Sequence, residues 1–311
     1  MDWLHSALIA PFADMVSAPI FFAEVVVGGL MSGVMYSLVA LGFAVIFKAS
    51  GVVNFAQGAM VLFAALTLVG VIEFGMPAWL AIIITIGVMI ALAFGIERLM
   101  LRRLVNQPHI VLFMATIGLA FVLEGVGEIL WGADVKKVDL GIPDQPFFIG
   151  GMLLNQFEIA ATVVAGTLVA ALVVFLQTTA IGRALRAVAD DNQAALSVGI
   201  PLTSVWVVVW SVAGFIALVA GIMWGTQLGV QFSLSLIAFK ALPVLILGGF
   251  NSIPGAIIGG LIIGVGEKVA EVYWGPVIGG AIETWFGYVL AMVVLLFRPQ
   301  GLFGEKIIER V

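Results

Sequence analysis

Apolar runs long enough to cross a lipid bilayer recur along the whole chain, and its charged residues gather in the short stretches between them. A hydrocarbon core of roughly 30 Å is spanned by about 20 apolar residues in helical form. Inside that core every backbone N–H and C=O needs a partner within the protein, which a helix supplies by itself. With 311 residues, 63% of them hydrophobic and 10% charged, and a mean hydropathy of +1.23, the composition excludes an ordinary soluble domain. The expected fold is therefore an all-α polytopic membrane protein, one transmembrane domain over residues 1–311 with about 8–9 membrane segments.

The segments are expected near residues 21–47, 59–72, 78–96, 109–131, 158–176, 204–224, 236–247, 256–269 and 285–297. Two of them are irregular. Between the first and second, Ser50, Gly51, Asn54, Gln57 and Gly58 interrupt the apolar pattern, and such backbone is tolerated at membrane depth only when protein or a wet cavity encloses it. The run at 236–247 carries Lys240 and Pro243 and leads into Gly248-Gly-Phe-Asn-Ser-Ile-Pro-Gly255, so a re-entrant or kinked helix is expected there. The long connection 132–156 reads as an outer loop.

Small residues at helical spacing mark close contacts: Gly29-x-x-x-Gly33 with Ser32 and Ser37 beside it, Gly221-x-x-x-Gly225-x-x-x-Gly229, Gly255-x-x-x-Gly259 and Gly260-x-x-x-Gly264. A weak internal echo, Asn-x-x-x-Gly-Ala at Asn54 and again at Asn251, has the form of a structural repeat with broken helices at matching places.

Orientation follows from the basic residues. The residues up to Pro19 include no Lys or Arg, which argues against a signal peptide and for an outer N-terminus. Of the 13 Lys and Arg, Lys48, Arg98, Arg102, Arg103, Arg183, Arg186, Arg298, Lys306 and Arg310 then fall on the inner side. An N-out, C-in topology satisfies the positive-inside rule.

Residues 181–200 look least like their surroundings. Arg183, Arg186, Asp190 and Asp191 together would cost on the order of 10 kcal/mol within a bilayer, so this stretch belongs in water. Read as one amphipathic helix, it places Ala184, Leu185, Val188, Ala195, Leu196 and Gly199 along one side. Arg186 can pair with Asp190, and Gly199 before Ile200-Pro201 can close the helix. A helix resting on lipid headgroups and a docking helix for a cytoplasmic partner both fit this pattern.

Much chemistry is excluded. The chain has no cysteine, and His5 and His109 are too few and too far apart for a metal site. No Gly-Lys pair exists, hence no P-loop, and no His-Glu-x-x-His or Gly-x-Ser-x-Gly signature occurs, so an enzyme is not expected and no cofactor is implied. An ion-coupled transporter using Glu124 and Glu128, or Lys240, as a relay is the alternative from another class.

Residues 182–200, Val53-Asn-Phe-Ala-Gln-Gly58, the run from Lys240 to Gly260, and Arg298-Pro-Gln-Gly-Leu-Phe-Gly304 resemble, in order and over nearly the whole chain, ABC-importer permeases of the branched-chain amino acid (LivH/LivM) family, the LivH type most closely. The resemblance implies a translocation subunit in the bacterial inner membrane. Its implied partners are a second, LivM-like permease subunit, two ABC ATPase subunits and a periplasmic solute-binding protein. It also implies that Arg183, Arg186, Asp190, Asp191, Asn192 and Gly199 belong to the helix that docks on the ATPase. Ser32, Tyr36, Asn54, Gln57 and Asn251 are the candidates for lining the path, with capping of broken helix ends as their alternative role. The sequence departs from the family at Gln57 and Ala59, where relatives often carry a His and an acidic residue. Branched-chain amino acids are the implied cargo, while similar systems carry urea, short amides and other carboxylates.

Overall fold

The computed structural model describes residues 7–104, 107–138 and 145–304. Along the chain the helices are α1 (Ala10–Ser17), α2 (Pro19–Ser50), α3 (Gln57–Glu73), α4 (Ala78–Leu99), α5 (His109–Trp131), α6 (Gln156–Thr178), α7 (Ala180–Asp190), α8 (Asn192–Ser197), α9 (Leu202–Leu228), α10 (Ile237–Gly248), α11 (Ile253–Ile278) and α12 (Ile282–Phe297). Short 3-10 turns at Leu101–Arg103 and Phe232–Leu236 follow α4 and precede α10. Helices α2, α4, α5, α6, α9 and α11 are long and apolar enough to cross a membrane, and α3, α10 and α12 are shorter apolar helices.

The chain divides into two compact units. One holds residues 1–40, 141–168 and 240–311, the other 41–140 and 169–239, so α2, α6 and α10 each contribute to both.

In the first unit α2 and α11 cross at their glycines. A Cβ on Gly29 would lie 2.7 Å from the Cα of Val265, and one on Gly33 would lie 2.7 Å from the carbonyl oxygen of Gly260. The two small-residue patterns expected from sequence thus meet each other, which lets backbone approach backbone. Ser37 secures the crossing: its Oγ donates to the carbonyls of Gly33 at 2.8 Å and Ile257 at 3.0 Å.

Helix α11 runs to Ile278, well beyond the expected end at residue 269. Glu267, near the expected end, is buried with Lys240 3.8 Å from its carboxylate, and the helix continues past it. It closes at Gly279 (φ +113°), and the Glu271 carboxylate accepts from the backbone N–H groups of Ala281 at 3.1 Å and Glu283 at 3.2 Å, holding the turn into α12.

The terminal motif also has a structural role. Leu302 N–H donates to Leu247 O at 2.8 Å and Phe303 N–H to Gly248 O at 3.1 Å, which satisfies carbonyls that the end of α10 leaves free. Gly249 at φ +101° and Gly301 at φ +79° make this approach possible, since a Cβ on Gly301 would stand 2.7 Å from Gly249 N.

Two elements of this unit were not expected. They are α1 and the hairpin Pro146–Ile149 with Met152–Asn155, lying in the stretch read as a loop. Gly150 and Gly151, at φ 59° and 87°, supply the turn that a two-residue hairpin requires.

The second unit is built around α3, in which every residue from Gln57 to Gly70 is buried. A helix apolar on all sides is stable only when surrounded. Gly221 of α9 lets that helix close on it, a Cβ there standing 2.7 Å from Val61 O. From α5, the ring of Trp131 meets Phe63 edge to face with centroids 5.7 Å apart. Lys136 is ion-paired with Glu73 and exchanges backbone hydrogen bonds with Val230 at 3.0 and 2.7 Å, pinning the connection after α5.

Candidate functional site

The water-seeking stretch is two short helices rather than one. Asp191 breaks it: its Oδ1 accepts from the N–H groups of Gln193 at 2.7 Å and Ala194 at 3.0 Å, making Asp191 the N-cap of α8. A carboxylate offering that alternative to the backbone ends α7 at Asp190. The expected apolar side is correspondingly split. Leu185, Val188 and Ala195 are buried, whereas Leu196, at 52%, and Gly199 are exposed; Val198, outside the expected side, is 74% exposed. Asn192 opens α8, with its side chain outside what the structure describes.

The expected pairing of Arg186 with Asp190 is also replaced. Arg186 Nη1 donates to the carbonyl of Leu176 at 2.6 Å, and Arg183 Nη1 to that of Thr178 at 3.1 Å. Both guanidinium groups thus cap the C-terminal end of α6, where free carbonyls and the helix dipole favour cations. Thr179 begins α7 by accepting from Gly182 N–H at 3.1 Å. Gly199 closes α8 as expected: at φ +84° it donates to Leu196 O at 3.0 Å, while Ile200 donates to Ala195 O at 3.0 Å, the paired bonds of a Schellman cap.

The break between α2 and α3 is buried at Val52, Asn54 and Ala56, with Gly51 exposed at its start. Asn54 and Gln57 have no exposed surface. Asn54 Oδ1 accepts from Ala56 N–H at 3.1 Å, its Nδ2 reaches Gln57 Oε1 at 3.5 Å, and Gln57 Nε2 reaches Ala213 O at 3.4 Å. Gly42 leaves the space for Gln57, since a Cβ there would lie 2.6 Å from Nε2. Trp206 Nε1 donates to Ala49 O at 3.4 Å, and Phe55 N–H to Thr116 Oγ1 at 3.3 Å.

Of the other lining candidates, Ser32 and Tyr36 stand one turn apart on α2 in the first unit, Ser32 half-buried and Tyr36 buried. Asn251 is exposed in the turn before α11, and Ser252, not Asn251, caps that helix by accepting from Gly255 N–H at 3.0 Å. The two halves of the sequence echo therefore differ in environment, with Asn54 buried and Asn251 exposed.

Tyr36 belongs to a charged cluster that the sequence disclosed only in part. Lys240 Nζ donates to the backbone carbonyl of Glu283 at 3.0 Å and lies 3.8 Å from the Glu267 carboxylate, 4.0 Å from that of Glu283 and 5.9 Å from the Tyr36 ring centroid. Glu267 stands near the end of the segment expected at 256–269 and Glu283 just before the one expected at 285–297, positions where a carboxylate needs no explanation from sequence. Four titratable groups from α2, α10, α11 and α12 converge here within one unit. On α5, Glu124 is half-buried and Glu128 exposed.

Residues 25–298 match the family described as "Branched-chain amino acid transport system / permease component". The chain is 28% identical over 305 residues to the high-affinity branched-chain amino acid transport system permease protein BraD of Pseudomonas aeruginosa, covering 93% of this chain and 98% of that one. It is 28% identical over 317 residues to the corresponding permease protein LivH of Escherichia coli (strain K12), covering 94% and 98%. It is also similar, at 23% identity over 87% of this chain and 76% of the other, to the fructose import permease protein FruF of Bifidobacterium longum. Among solved structures, PsaBC from Streptococcus pneumoniae in complex with Fab shares the fold, with a TM-score of 0.50 at 14% identity over 95% of this chain and 96% of that one. The match begins within α2 and ends just past α12, and the chain belongs to the family of permease components of branched-chain amino acid transport systems.

Proposed function

We propose that this chain is the membrane-crossing subunit of an ATP-binding-cassette importer of branched-chain amino acids or a related small polar or carboxylate solute. It works in the bacterial inner membrane, N-terminus outside and C-terminus inside, with a second permease subunit, two ATPase subunits and a periplasmic solute-binding protein. ATP binding by the partners moves α7 and α8, and the path changes the side to which it opens.

The observation that carries this reading is the build of α7–α8. Arg183 and Arg186 tie its base to the end of α6, whereas Leu196 and Val198 at its tip are apolar and exposed, with exposed Asp190 and Asp191 on the same segment. A rigid base and an uncovered apolar tip suit an element that receives force from a partner. For the path, Ser32 and Tyr36 remain the proposed lining residues, because ionisable groups inside a membrane segment, here Lys240 and Glu267, mark functional positions by default. Asn54 and Gln57 enter the proposal as residues that fix the helix break, and Asn251 as an exposed turn residue.

The cargo assignment rests on BraD and LivH, whose names specify branched-chain amino acids, against FruF, whose name specifies fructose. Leu196→Asp and Val198→Asp, in the chain reconstituted with its ATPases and binding protein, are expected to lower ATPase stimulation by loaded binding protein about tenfold, an interface loss of ~1.4 kcal/mol. Unchanged stimulation would refute the docking role. Titrating the cognate binding protein with leucine, urea, fructose and benzoate separates the cargo classes, and tight binding of leucine alone is the expected result.

A further inference from the structure

Within the second unit, the end of α4 and the start of α9 border an open cavity of about 690 Å³. Glu97, Arg98, Arg102, Thr203 and Ser204 line its polar part, and Phe94, Leu99 and Val207 its apolar part. Glu97 is only 6% exposed, and its Oε1 has no hydrogen-bond partner among the described residues. An uncompensated carboxylate buried to that degree is costly unless something brings a cation or donor to it. Arg98 and Arg102, one turn apart, are exposed and form no ion pair among the described residues. Thr203 and Ser204 lie in the first turn of α9, whose N-cap is Pro201 and whose backbone N–H groups receive no side-chain cap.

The cavity lies at the end of a helix long and apolar enough to cross a membrane, and the end of such a helix falls at headgroup depth. Its apolar wall faces outward, with Phe94 56% and Leu99 67% exposed. The ligand that matches all these features carries a primary ammonium, a phosphodiester and acyl chains on one molecule. We infer that this cavity binds the headgroup of an aminophospholipid, its ammonium donating to the Glu97 carboxylate and its phosphodiester held by Arg98, Arg102 and the N-terminal end of α9. The acyl chains then run along Phe94 and Leu99. A guanidinium pair alone would select any anionic lipid, so Glu97 is the specificity element: it repels a headgroup whose only charge is negative, and a trimethylated ammonium cannot donate to it.

The test is native mass spectrometry of the full chain, with whatever subunits co-purify, against phosphatidylethanolamine, phosphatidylcholine and phosphatidylglycerol of identical acyl chains. The wild type is expected to retain phosphatidylethanolamine about tenfold over phosphatidylcholine, the effect of one hydrogen bond to a charged acceptor. Glu97→Gln is expected to erase that preference, and Arg98→Ala with Arg102→Ala to weaken all three lipids. Equal retention of ethanolamine and choline lipids by the wild type, preferential retention of phosphatidylglycerol, or an unchanged preference in Glu97→Gln would each overturn the inference. The wild-type comparison decides alone if the variant fails to fold.

Discussion

Arg186 reaches back over ten residues to donate from Nη1 to the carbonyl of Leu176 at 2.6 Å, so the helix that carries the arginine is fastened to the one before it. Hydrogen bonds to charged groups contribute about 1.5–3 kcal/mol. Arg186→Ala is therefore expected to loosen residues 180–199 without unfolding the spans, seen as faster amide hydrogen exchange confined to that stretch. Exchange unchanged there would mean that the contact does not hold the segment.

Asp191→Ala removes the cap of α8 and should cost ~1 kcal/mol, whereas Asp191→Asn, which keeps an acceptor oxygen, should cost only a few tenths. Limited proteolysis between α7 and α8 distinguishes them: the alanine variant is expected to be cut several-fold faster than the asparagine variant. Equal rates would show that the cap is dispensable.

Neighbouring glycines on α2 offer an internal control. A Cβ on Gly33 would meet the Gly260 backbone at 2.7 Å, while one on Gly28 would meet nothing within 4 Å. Gly33→Ala is expected to lower thermal stability by about 1–3 kcal/mol through overpacking. Gly28→Ala should be neutral or stabilising by up to ~1 kcal/mol, because alanine favours the helix. Thermal unfolding in detergent that ranked the two equally would contradict the helix crossing described above.

Lys240→Met leaves the buried Glu267 without its nearest cation and is expected to cost on the order of 3 kcal/mol. Adding Glu267→Gln should restore much of the loss, so the double variant is more stable than the single. A double variant whose loss equals the sum of the single losses would mean that the two charges are not coupled.

The sequence disclosed whatever depended on local pattern. The fourth expected span, 109–131, coincides with α5 because apolar residues fill it and Pro108 stands at its start. Gly199 was readable as a cap, and the small-residue spacings on α2 and α11 as contact faces, because backbone geometry decides both. The readings that failed depended on partners distant in the chain. Residue 269 looked like the end of a span until Lys240 compensated Glu267, and residues 181–200 looked like one helix because periodicity does not register Asp191 capping its own backbone. In the candidate site, Tyr36 and Lys240 were visible as polar residues in apolar runs, but their convergence with Glu283 was not, since nothing local links residues 36, 240 and 283.

The bonds from Leu302 and Phe303 to the end of α10 bear on biosynthesis. A ribosome delivers α10 more than fifty residues before it delivers the backbone that satisfies the carbonyls of Leu247 and Gly248, and α2 is made long before Gly260 and Gly264 exist to receive it. The first unit therefore cannot be completed until residues 302 and 303 have been made, whereas residues 41–239 contain every segment of the second. A nascent chain halted before residue 302 would hold every segment of the second unit and an open first one, with the carbonyls of Leu247 and Gly248 still waiting for their donors.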